Sequence, residues 1–148
     1  MPIFSDGVQA GTTGSWLKAP TKTITFDGTA GNGAVGTVTV WTITGRVLAI
    51  YISAFCTQTL TGAATLEFGT TTTTTDFIAQ IASATSLATN DWWIGTASPA
   101  SSGQMGAGAL EAFISANPIL TIGSTAITGG TLVFDCFYLP LTSNGALS

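Results

Sequence analysis

The sequence contains no histidine. That removes the commonest general base and the commonest transition-metal ligand together. The Ser-His-Asp relay goes with it, and no Gly-x-Ser-x-Gly elbow surrounds any serine, so the chain reads as a non-enzyme. Basic residues are almost as scarce: Lys18, Lys22 and Arg46 face seven acidic groups, for a net charge of -4. No basic patch exists to displace counterions from a phosphate backbone, which excludes nucleic acid as a partner. Charged residues make up 7% of the chain, against roughly 25% in an average soluble protein. Long apolar runs are missing too. The densest, Val47 to Cys56, is about half of the roughly 20 residues a membrane helix needs. The start, Met1 to Asp6, has neither the basic leader nor the hydrophobic stretch of a secretory signal. A non-secreted, non-membrane protein is expected.

What is present is neutral. The 148 residues are 45% hydrophobic, enough for one domain with a real core. Counts of 28 Thr, 20 Ala and 18 Gly mean that hydroxyls and backbone must supply the polar surface. Such a skin suits packing against something. Residues 1–20, rich in Gly, Thr and Ser, read as an extended N-terminal arm whose isolated large groups, Ile3, Phe4 and Trp16, are candidate anchors on a partner.

Residues 21–148 read as an all-β domain. Lys22, Ile24 and Phe26 alternate with threonines before the turn signal Asp27-Gly28. A second strand is expected over Thr37 to Thr44, where Thr, Val, Ile and Trp favour a pleated backbone. Val47 to Thr57 should place Leu48, Ile50, Ile52, Ala54 and Cys56 on one face and Val47, Ala49, Tyr51, Ser53 and Phe55 on the other. Both faces are largely apolar, so the strand should be covered on both sides, by its own domain or by a neighbouring subunit. A short strand follows at Thr65 to Phe68, then a threonine-rich surface connection over Thr70 to Thr75. Asp76 to Thr89 fits a helical turn or a strand equally well. Two short strands flank Asn117-Pro118, and Thr131 to Leu139 is the closing strand, with Leu132, Phe134, Cys136 and Tyr138 on its richer face. Short strands, glycine corners and no long amphipathic helix predict an antiparallel β-sandwich, jelly-roll-like, with an extended N-terminal arm.

Few residues offer chemistry. Cys56 and Cys136 lie on apolar strand faces, which favours two buried, inert thiols over a disulfide between neighbouring strands. Two cysteines without histidine make an incomplete metal shell. The carboxylates are scattered, and Asp135, inside the last strand, is the least ordinary: a partner in Arg46 or a subunit contact is expected for it. No cofactor is expected. Asp91-Trp92-Trp93 should turn one indole inwards and one outwards. Trp41, Trp92, Trp93, Tyr51 and Tyr138 could stack on sugar rings, but only Asn90 and Asp91 lie near the tryptophan pair, so packing is favoured, and Tyr51, Trp92 and Trp93 join Ile3, Phe4 and Trp16 as interface candidates.

The segment Gly36 to Val47, the step Gly69-Thr70 and the ending Gly130-Thr-Leu-Val-Phe-Asp-Cys-Phe-Tyr-Leu-Pro-Leu-Thr-Ser-Asn-Gly145 follow one another in a layout that resembles small β-rich virion proteins of tailed bacteriophages. In these a Gly-Thr-Val-type strand, a Thr-Gly-Arg/Asp-Val corner, a central Gly-Thr step and a closing strand ending in Pro-Leu-Ser/Thr recur in that order. The resemblance covers roughly residues 21 to 147 and transfers no catalytic residue. It implies a capsid decoration, cement or head-fibre protein, a homotrimer on the capsid surface, made in the host cytoplasm, with the major capsid protein and itself as partners. A fibre- or tail-associated receptor or carbohydrate-binding module is the alternative.

Overall fold

The computed structural model of the chain describes residues 16–95, 99–101 and 111–148. Within them the strands are, in chain order, β1 (Leu17–Lys18), β2 (Lys22–Thr25), β3 (Gly36–Thr39), β4 (Ile43–Thr44), β5 (Val47–Thr61) and β6 (Thr65–Thr70). There follow β7 (Ile78–Ile81), β8 (Trp92–Trp93), β9 (Glu111–Ile114), β10 (Pro118–Gly123), β11 (Gly129–Pro140) and β12 (Ala146–Leu147). One short 3-10 turn, Ala84–Ser86, lies between β7 and β8.

The class is all-β, with antiparallel sheets packed together. The large sheet is built on β5 and β11 side by side. β1 and β2 pair in succession with the free edge of β11, and β9 and β8 with the free edge of β5. The smaller sheet runs β3-β10-β6-β7, and β4 pairs with β12 in a two-stranded piece. Between the two main sheets lies a core in which Phe68 stands 5.0 Å from Phe134, 5.4 Å from Phe77 and 6.1 Å from Trp41, ring centre to ring centre. Each buried aromatic or aliphatic side chain of this kind contributes about 1.5–3 kcal/mol. Trp41, wholly enclosed, donates its indole N–H to the Pro20 carbonyl at 2.7 Å and so ties the start of the sandwich to its interior.

Several expectations change. Among the described residues the sandwich already includes Leu17, inside the stretch read as an arm: β1 pairs with Phe137 and Tyr138, and Ala19 is buried and donates to the Cys136 carbonyl. The strand expected over Thr37 to Thr44 is two strands in different sheets. Val40 and Trp41 are both buried, which a period of two forbids, and the chain turns there from the smaller sheet to the two-stranded one. Asp76 to Thr89 resolves into β7 and the 3-10 turn.

The largest correction concerns β5. It has 15 residues where β11 has 12, and three register shifts absorb the difference. One falls at Tyr51, whose φ of +51° is left-handed. Ser53 pairs with Asp135 and Ile50 with Phe137, so β5 spends one residue more than β11 between those pairs. The bulge reverses the alternation. Val47 and Ala49 face the core before it, Ile52, Ala54 and Cys56 after it, while Ile50 moves to the outer face with Phe137.

Candidate functional site

The outer face of the large sheet is built by the alternate positions of β5 and β11 together with their edge strands. By register, Leu48 lies between Phe113 and Leu139, Ile50 beside Phe137, Ser53 beside Asp135, and Phe55 between Trp92 and Val133. Among the described residues five large aromatics are exposed there: Trp16, Tyr51, Trp92, Phe113 and Phe137, with Phe113 at 77% the most open of them. Trp16, Ile50, Tyr51 and Phe137 line an open apolar depression of about 280 Å³. Further along the strands the rings of Phe55 and Trp92 pack 4.6 Å apart at a tilt of 47°.

Tyr51 is aimed into this face by strain. A left-handed backbone costs a residue with a Cβ roughly 1–2 kcal/mol, and bulky side chains adopt it rarely. The other non-glycine residues with positive φ, Asn90 and Ser124, sit in turns, where short polar side chains are at home. Tyr51 sits inside a strand and remains 53% exposed.

One ion pair interrupts the apolar surface. Lys18 meets Asp135 at 2.5 Å, and the Thr21 hydroxyl donates to the same carboxylate at 2.6 Å. Burial works to raise the Asp135 carboxyl, but the hydrogen bonds from Lys18 and Thr21 and the lysine charge outweigh it, and the group titrates below its ordinary value. The partner expected for Asp135, Arg46, is therefore replaced by Lys18. β1 supplies that lysine by pairing with Phe137, two residues along β11 from Asp135, whereas Arg46 lies in the turn before β5. Glu111, exposed opposite Ile50, adds a charge on the edge strand.

Of the sequence candidates, Trp16, Tyr51 and Trp92 come together on this face. Trp93 is fully buried, the inward partner of Trp92 in the expected alternation, and has no exposed surface to offer. Its indole N–H finds no acceptor among the described residues. Ile3 and Phe4 lie outside the described residues. Sequence reasoning missed Phe137 and Phe113, although both stand at alternate positions to buried neighbours, which is the available signal. A polar surround for a sugar on Trp92 is thin, since the Asp91 carboxylate already accepts from the Ala88 backbone N–H at 2.9 Å.

Other chemistry is muted. Cys56 and Cys136 are buried free thiols, as their strand faces imply. Cys56 pairs with Leu132, four residues along β11 from Cys136, which keeps the sulfurs apart. Burial pushes the Cys136 thiol up to about 12, hydrogen bonding at the Ile50 carbonyl notwithstanding. Among the described residues no group of three or more His, Cys, Asp or Glu side chains could hold a metal ion, and no helix is long and apolar enough to cross a membrane. The site defines a class of surface, an aromatic sheet face on a weakly charged sandwich. Comparison of the chain with family models, with curated proteins and with solved structures finds no match.

Proposed function

We propose that this chain is a structural virion protein of a tailed bacteriophage, one that decorates and reinforces the capsid as a homotrimer in contact with the major capsid protein. It is made in the host cytoplasm and ends on the capsid surface, and it has no enzymatic role. The observation that carries this is the outer face of the large sheet, where five aromatics stand exposed on a molecule with only 7% charged residues. Exposed apolar surface concentrated on one face in this way marks an interaction site. A protein repeated many times over a shell needs only modest affinity at each contact, because the contacts add through multivalency. The layout shared with small phage virion proteins supports the partner, and a jelly-roll-like relation between the sheets belongs to the same proposal.

Quantitative mass spectrometry of purified particles tests it. A copy number comparable to that of the major capsid protein is expected. A handful of copies per particle, with glycan binding abolished by Trp92→Ala, selects the fibre or tail module instead. Absence from the particle overturns both.

A further inference from the structure

Building on that assembly role, we propose that the outer face of the large sheet is where copies of this chain bind one another, with Tyr51 and Phe137 as the central anchors.

The area fits. A whole aromatic side chain offers roughly 200 Å², so five of them about half exposed present about 500 Å² of apolar surface. A stable interface buries about 800 Å² per partner, of which roughly 60% is apolar, and these rings alone supply that share. The charge fits as well. Each copy carries a net charge of -4, so two copies repel over most of their surfaces. Among the described residues of this face Lys18 cancels Asp135 and leaves Glu111, opposite Ile50, as the one uncompensated charge, so each copy brings far less than its net charge to the contact. A strongly charged ligand finds no such match.

The third observation is the strain at Tyr51. Its left-handed φ lifts the ring onto the outer face, and 53% of the residue remains exposed within its own chain. Glycine holds this conformation without strain. Burial inside the fold therefore does not account for tyrosine here, whereas burial against another copy does. The bulge sets two residues, Tyr51 and Ile52, against Cys136, and the rings of Trp16, Tyr51 and Phe137 with Ile50 line a depression that an aromatic side chain from a neighbouring copy can enter.

Sedimentation velocity on the full-length chain, from low to high micromolar concentration, tests this. The wild type is expected to be oligomeric. Tyr51→Gly and Phe137→Ser should each raise the dissociation constant at least about 30-fold, as the loss of a central anchor does. Tyr51→Gly should keep or raise the thermal midpoint of the separated subunit, since it relieves the backbone, so a failure to fold cannot imitate the result. Val35→Ser, at an exposed residue just before β3 in the other sheet, should change nothing. A wild type that stays monomeric throughout, or an oligomer indifferent to both face variants, overturns the inference. The outcome for the virion role is separable. A chain abundant in particles yet monomeric when pure overturns this interface and keeps that role, and an oligomer broken by Tyr51→Gly in a chain absent from particles does the reverse.

Discussion

The two outward faces of the sandwich differ sharply. The smaller sheet turns Thr37 and Thr39 of β3, Glu67 of β6, Gln80 of β7 and Thr121 of β10 away from the core, and the Gln80 amide donates to Glu67 at 2.8 Å. The large sheet turns out Tyr51, Phe55, Trp92, Phe113 and Phe137. Both faces rest on the same buried layer, and both are made by alternate residues of their strands except at the bulge of β5, where Ile50 and Tyr51 both face out. The first is at home in solvent, because Gln80 bonds Glu67 and the Thr37 and Thr39 hydroxyls lie open to water. The second is not, because its rings gain only when something excludes water from them. Low charge alone therefore does not mark a binding surface, as the threonine face is just as poor in ions. Its side-chain class does.

The heaviest blow to the comparison falls on what the faces share. Phe134→Ala removes a fully buried ring packed on Phe68, and should lower the unfolding free energy by about 3–5 kcal/mol in denaturant titrations. A loss below about 1 kcal/mol would mean that the two sheets do not lean on this layer, against the usual range for such truncations. Next comes the aromatic face itself, where Tyr51→Gly and Phe137→Ser should cost association and spare the fold. A smaller effect of opposite sign is expected on the threonine face. The Thr121 hydroxyl is buried with no partner among the described residues, so Thr121→Val should raise stability by about 1 kcal/mol with no change in oligomeric state. A fall in thermal midpoint would show that the hydroxyl has a partner after all.

How much of this was legible in the sequence differs by strand. The buried set Leu132, Phe134, Cys136 and Tyr138 is legible because β11 keeps strict alternation from Gly129 to Leu139. β5 looks equally simple and is not. Its two apolar faces permit either parity, and nothing in Val47 to Cys56 announces an extra residue at Tyr51, since bulges of this kind more often declare themselves by a glycine. The inversion there moves Ile50 to the depression and Val47 and Ala49 to the core. The outward indole of Trp92 is readable from Trp92-Trp93, while the exposure of Phe113 depends on β9 taking the edge beside Leu48, a matter of pairing between residues far apart in the chain. The same long-range pairing hides the Lys18 contact of Asp135, because β1 must first dock on β11.

The Lys18–Asp135 ion pair carries the smallest expected effect and the one most diagnostic of the aromatic face, because it lies within it. The Asp135 carboxyl titrates lower in the folded chain than in the unfolded one, where a value of about 3.9 applies. Its contribution is therefore fully present above the unfolded value and is lost as pH falls through the folded one. With the side chain about a third exposed, screening holds the gain below about 1 kcal/mol. Asp135→Asn keeps an acceptor for the Thr21 hydroxyl and gives up the charge facing Lys18. The wild type should exceed this variant in unfolding free energy by a small, level margin at neutral pH, and the margin should close below about pH 4. Added salt should shrink it at neutral pH. A margin that widens on acidification would mean that the carboxylate is a burden on the fold and that Lys18 does not compensate it.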